Sequence, residues 1–168
     1  MNNAEDDIVL SKREVSFIES RDSFFMATAG EDSWPYVQHR GGPKGFLKII
    51  NSSTFGFADY SGNRQYISVG NIQFNDKVCL FLIDYPTRQR LKIWATATIS
   101  GIKETPELFE KLSTPDYDVV IERLITFEVQ AFDWNCPQHI TPRYTGEEIM
   151  HGVNAKDHKI MKYCRTDK

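Results

Sequence analysis

Residues 90–99 alternate without a break: Leu91, Ile93, Ala95, Ala97 and Ile99 share one face of an extended chain, and Arg90, Lys92, Trp94, Thr96 and Thr98 share the other. An alternation this long builds a strand covered on one side and is out of phase with a helix. Shorter strand signals recur at 24–29, 35–40, 45–50, 54–59 and 125–131, separated by turn chemistry such as Gly30-Glu31-Asp32-Ser33 and Asn51-Ser52-Ser53. The run Val78-Cys79-Leu80-Phe81-Leu82-Ile83 is apolar without alternation, which predicts a central strand covered on both faces and deep in the core. Six or seven strands with few helices predict a mainly β chain rolled into a closed barrel.

The helical signals are short. Ser11 followed by Glu14 forms a capping box, with Leu10 and Val15 placed as a hydrophobic staple, so a helix is expected over about 12–20. Thr105-Pro106 is an N-cap and N1 pair that opens a helix over about 107–112. Ser61-Gly62-Asn63-Arg64-Gln65 has turn and N-cap chemistry leading into a helix over about 64–72. With 168 residues and no internal repeat or linker, the chain reads as one domain over 1–150 and a polar tail over 151–168.

Several function classes are disfavoured. The net charge is −3 and the Lys and Arg residues are scattered, which argues against a nucleic-acid surface. No stretch approaches the length of a membrane span, and the first seven residues are polar and acidic rather than signal-like. The three cysteines, Cys79, Cys136 and Cys164, make no disulfide framework, so a reducing, cytoplasmic setting is expected. No Gly-x-Ser-x-Gly, Gly-x-Gly-x-x-Gly or Walker A pattern is present.

Four segments carry candidate chemistry. The turn at 61–65 opens a helix, where unpaired N–H groups, the positive dipole end and Arg64 suit a phosphate, although a well-capped helix has the same signature. Arg90 and Lys92 project from the same side of their strand and repel each other unless an anion lies between them or solvent screens them. Arg40-Gly41-Gly42-Pro43-Lys44-Gly45 leaves backbone open to close approach by a ligand, or is simply a Gly-rich hairpin loop. Trp134-Asn135-Cys136-Pro137-Gln138-His139 combines a ring, an amide, a thiol and an imidazole. Cys136 and His139 have ligand-like spacing, but no second pair follows, so no metal is expected.

Taken in order, Pro35-Tyr36-Val37-Gln38-His39-Arg40-Gly41-Gly42-Pro43-Lys44-Gly45-Phe46, Gly62-Asn63-Arg64-Gln65-Tyr66-Ile67-Ser68, Asn75-Asp76-Lys77-Val78, Asp84-Tyr85-Pro86 and Arg90-Leu91-Lys92-Ile93-Trp94 resemble the pyridoxamine 5′-phosphate oxidase-like flavin-binding family, and most closely its flavin-nucleotide-binding branch. The resemblance covers about residues 20–140. It implies a split β-barrel that forms a homodimer with flavin mononucleotide (FMN) at the interface. It places Arg40 and Lys48 along the flavin strands, Asn63, Arg64 and Gln65 at the phosphate turn, and Arg90 and Lys92 at the anion site. It also brings Trp134 and Gln138 into the cofactor set. The C-terminal Arg- and His-containing substrate motif of true pyridoxamine phosphate oxidases is not recognisable, so a different small-molecule substrate is expected. His39, Tyr60 and His139 are candidate proton donors by residue type alone. The expected function is an FMN-dependent oxidoreductase; a flavin carrier or sensor, or a split barrel holding haem or deazaflavin, remain the alternatives.

Overall fold

A computed structural model describes residues 8–62 and 64–152. Asn63 and residues 153–168, most of the expected polar tail, lie outside the described residues. In chain order the elements are α1 (Lys12–Glu19), β1 (Ser23–Ala29), β2 (Pro35–Gly41), β3 (Lys48–Ile49), β4 (Thr54–Tyr60), α2 (Ile67–Phe74), β5 (Lys77–Asp84), β6 (Gln89–Ser100), α3 (Pro106–Leu112), β7 (Ile121–Asn135) and α4 (Gly146–Gly152). All seven strands join one antiparallel sheet in the order β2-β1-β5-β6-β7-β4-β3. Among the described residues no helix is long and apolar enough to cross a membrane.

The sheet curls into a split barrel. Its ends, β2 and β3, do not hydrogen-bond to each other, so the ladder does not close as strand count alone suggested. Side chains close it instead. Phe24 of β1, Phe46, Phe57 of β4 and Phe127 of β7 are buried and meet ring to ring, Phe57 lying 5.5 Å from Phe24, 5.9 Å from Phe46 and 6.0 Å from Phe127 between centroids. The interior is continued by Met26, Val78, Leu80, Leu82, Leu91, Ile93 and Ile125.

The expected strand over 45–50 shrinks to Lys48–Ile49. The reason is local: Gly45 takes φ +79° to turn the chain, and Phe46 and Leu47 drop into the core instead of extending along a ladder. Gly56 of β4 is needed for close approach to β7, since a Cβ there would lie 2.6 Å from the Ile125 carbonyl oxygen. The helix expected at 64–72 begins later, at Ile67, because Tyr66 adopts φ +53° immediately before it. α4 was not foreseen, although Thr145 and Glu148 form a reciprocal cap like that of α1.

The outer surface is covered unevenly. α3 packs on the outside of β4 and β7, where Leu112 meets Ala58 and Leu124. The outside of β2, β1, β5 and β6 is bare. On β5 only Val78, Leu80 and Leu82 are buried, while Cys79, Phe81 and Ile83 are half-exposed. The expectation that this strand is covered on both faces therefore fails within one chain. The apolar row it belongs to runs across the sheet through Val37, Ala27, Cys79, Trp94 and Ala131.

α1 is fastened by its capping box and by the far end of β7. The Ser11 N–H donates to Glu14 Oε2 at 3.0 Å, and the indole N–H of Trp134 donates to Glu14 Oε1 at 2.6 Å. Burial pushes the Glu14 carboxyl up, but hydrogen bonds from Ser11, Trp134 and nearby backbone outweigh it and hold it below the usual carboxylate range. Glu14→Gln is expected to cost about 1–3 kcal/mol at neutral pH. A depressed folded value means that this contribution is full above the unfolded value and is lost as pH falls through the folded one. Urea unfolding of both proteins should show a gap at pH 7 that closes as the pH falls below the usual carboxylate range.

Candidate functional site

The turn at 61–66 sits where β4 ends and α2 begins. The Ser61 N–H donates to the Val120 carbonyl at 2.8 Å, which fixes the turn against the start of β7. The first intrahelical bond of α2 runs from the Gly70 N–H to the Tyr66 carbonyl at 2.9 Å, so the N–H groups of Ile67, Ser68 and Val69 are left over at the helix start. The Tyr66 side chain does not cap them. Arg64 and Gln65 are exposed beside this end, and a Cβ on Gly62 would meet nothing within 4 Å.

Below the turn lies a charged cluster inside the split. Asp59, on the core-facing phase of β4, is 3% exposed. Arg40 of β2 reaches across from the opposite end of the sheet and donates Nη1–H to Asp59 Oδ1 at 2.6 Å. Arg123 of β7 approaches the other carboxylate oxygen at 3.7 Å. Arg40 Nη2 lies 3.4 Å from the hydroxyl of the fully buried Ser68, which itself donates to Gln38 Oε1. The Nε of Arg40 is buried with no hydrogen-bond partner among the described residues.

Burial pushes the Asp59 carboxyl above its ordinary value in spite of Arg40 and Arg123, and Glu122 adds to the rise. Glu122 moves the other way: its partial burial is outweighed by hydrogen bonds from Ser61 and Tyr66 and by the charges of Arg123 and Arg64. The cluster therefore holds three guanidiniums, of Arg40, Arg64 and Arg123, against the carboxylates of Asp59 and Glu122. It carries a net positive charge.

Arg40, Asp59, Gly62, Tyr66, Glu122 and Arg123 help enclose a polar cavity of about 40 Å³. It adjoins an open, more apolar cleft of about 350 Å³ through the shared residues Tyr66, Val69 and Arg123, with Ile99 and Gln73 on the far wall. A space of 40 Å³ holds little more than a small polar group, so a planar ring system must lie outside it.

The other sequence candidates stand elsewhere. Lys48 is half-buried on β3, paired with Gly56, four residues up β4 from Tyr60. Arg90 and Lys92 are at the opposite end of β6 from Ile99 and Ser100, about 30 Å of strand away. Each has one partner within the chain: Arg90 Nη2 donates to the Cys136 carbonyl at 2.5 Å, and Lys92 lies 3.6 Å from Asp133. Arg90 Nε, like Arg40 Nε, is buried with no hydrogen-bond partner among the described residues. The Trp134 ring is engaged by α1, with the Arg13 guanidinium 3.9 Å from its centroid and Phe17 edge-on at 4.8 Å. Gln138 is exposed in the segment after β7. Among the candidate proton donors, Tyr60 lines the polar cavity, whereas His39 lies on the bare outer face and His139 is exposed.

Arg40 and the 61–66 turn thus come together in one chain; Arg90, Lys92, Trp134 and Gln138 do not join them. Asp59, Ser68, Glu122 and Arg123 were missed. Asp59 continues the phase of Phe55 and Phe57, and Arg123 that of Ile125 and Phe127, so two charges in phase with a core were the available signal.

The sequence matches the family model described as pyridoxamine 5′-phosphate oxidase over residues 10–130. No curated protein matches it. Among solved structures, the HupZ protein of Group A Streptococcus is similar with a TM-score of 0.55 at 13% identity, covering 80% of this chain and 100% of that one. A Lactobacillus delbrueckii protein provisionally assigned as a pyridoxamine 5′-phosphate oxidase gives a TM-score of 0.54 at 15% identity, covering 74% and 93%. A conserved protein of Mycobacterium tuberculosis gives 0.52 at 16% identity, covering 83% and 94%. At these identities the likeness is one of fold.

Proposed function

This chain belongs to the pyridoxamine 5′-phosphate oxidase family, and on that premise we propose that it binds FMN between two copies of itself and serves as a flavin-dependent oxidoreductase. The observation that carries this reading is the polar cavity beneath the 61–66 turn. In it and beside it stands what a phosphate monoester needs: the start of α2, the exposed Arg64, open space at Gly62, and a buried guanidinium nitrogen on Arg40 that lacks an acceptor among the described residues. The cavity is too small for the isoalloxazine, which this reading places outside it.

The bare outer face supports the second copy. A strand that is apolar on both sides but covered on one is incomplete as a monomer, and a symmetric dimer is the simplest cover. Arg90, Lys92 and Gln138, remote from the turn in one chain, would then be available to the partner's flavin. When bound, the flavin supplies the electron-transfer chemistry. The chain's own residues bind and orient it, with Tyr60 the one candidate proton donor at the cavity wall. The missing Arg- and His-containing C-terminal motif supports a substrate other than pyridoxamine phosphate.

Titration of apo-protein with FMN and with riboflavin tests the reading. Arg64→Ala is expected to weaken FMN by about 1.5–3 kcal/mol and riboflavin hardly at all, because only FMN presents the phosphate. Equal losses for both ligands would assign Arg64 to the fold.

A further inference from the structure

From the buried Arg40–Asp59–Arg123 cluster we infer that Asp59 is a built-in stand-in for the ligand's phosphate: it neutralises the guanidiniums of the split while no anion is bound, and it thereby sets how tightly a phosphate is held. The inference rests on the proposed site but concerns an internal residue that does not depend on the flavin ring.

Asp59 lies in the split, where β2 meets β4 without a ladder. Two guanidiniums converge there, one from β2 and one from β7, and both are largely withdrawn from water, with side chains 14% and 16% exposed. Two such cations cannot sit together unanswered at low local dielectric. Asp59 answers both, one oxygen to each, and Arg123 is paired with Glu122 as well. The answer is incomplete, because Arg40 Nε lacks an acceptor among the described residues, and Arg40 lines the cavity.

The charges lining this cavity are Arg40 from β2, Asp59 from β4, and Glu122 and Arg123 from β7, and the exposed Arg64 of the turn is near enough to act on Glu122. Removing the Asp59 charge leaves three guanidiniums against one carboxylate. An incoming dianion then does alone what Asp59 did, so the variant should be less stable without anions and more responsive to them. A purely structural ion pair would give only the first effect.

Asp59→Asn, nearly isosteric, separates the two. In chloride buffer its melting temperature should fall below that of wild type. Millimolar inorganic phosphate, at matched ionic strength, should restore it by a shift at least about twice that seen for wild type. Its FMN affinity should rise roughly tenfold or more, with riboflavin affinity unchanged within about twofold. Should the variant fail to fold in chloride, it should fold when phosphate is added. An equal phosphate shift in both proteins, FMN and riboflavin changing together, or a variant unfolded in either buffer would overturn the inference. If wild type binds no FMN, the flavin reading fails, while the phosphate shift still decides the role of Asp59.

Discussion

Phe57→Ala is expected to cost about 3–5 kcal/mol, enough to remove much of the stability of a domain this size. The ring sits where the barrel is closed by side chains rather than by a strand ladder. It is 2% exposed and touches Phe24 from β1, Phe46 from the loop before β3 and Phe127 from β7, so its loss opens a cavity at the junction of both halves. Neighbouring strands are held in a ladder and cannot collapse to fill the space. Urea unfolding against Phe74→Ala provides the comparison: Phe74 ends α2 at 61% exposure, and its removal should change stability by less than about 0.5 kcal/mol. Equal costs would mean that the split is closed by something other than the phenylalanine cluster.

If the chain forms the proposed dimer through its bare outer face, Trp94→Asp is expected to weaken self-association a hundredfold or more, roughly 3 kcal/mol, without unfolding the chain. Trp94 projects from the bare outer face of β6, opposite Cys79 on β5 and Ala131 on β7, with the Lys92 ammonium 5.3 Å from its ring centroid. It is 41% exposed in the single chain. A half-exposed Trp in an apolar row is the residue type that dominates interface energies, and a carboxylate in its place would lose that ring and take a charge out of water with only Lys92 beside it. Because the side chain lies outside the barrel, circular dichroism should be unchanged. Sedimentation equilibrium of the two proteins measures the difference; equal association would remove this face from the interface.

Much of the fold was legible because short-range chemistry and tertiary demand agree. Ser11 and Glu14 announce α1, and the alternation of Leu91, Ile93, Ala95 and Ala97 places β6 with its inner face correctly turned. Where one residue serves a distant partner, local pattern misleads. Phe46 and Leu47 read as strand because they are apolar, but the core takes them out of the ladder. The run 78–83 reads as doubly covered, yet a single chain supplies only the inner cover. The candidate site was legible in its local half, the Gly62 turn and Arg64. Its other half, the meeting of Arg40, Asp59 and Arg123, depends on three strands brought together across the split, and no spacing along the chain encodes that. Trp134 shows the converse: a ring that suits stacking on a ligand is taken by Glu14, Arg13 and Phe17 of its own chain.

The proposed shared flavin site is tested most directly by sedimenting the protein with FMN across a dilution series, following the flavin's visible absorbance and the protein together. The account predicts that flavin travels with the dimer at one FMN per chain and that added FMN holds the dimer together to lower concentration, as mass action requires of a ligand gripped by both chains. At tens of micromolar FMN, flavin left behind in the supernatant or carried by a monomer would contradict it.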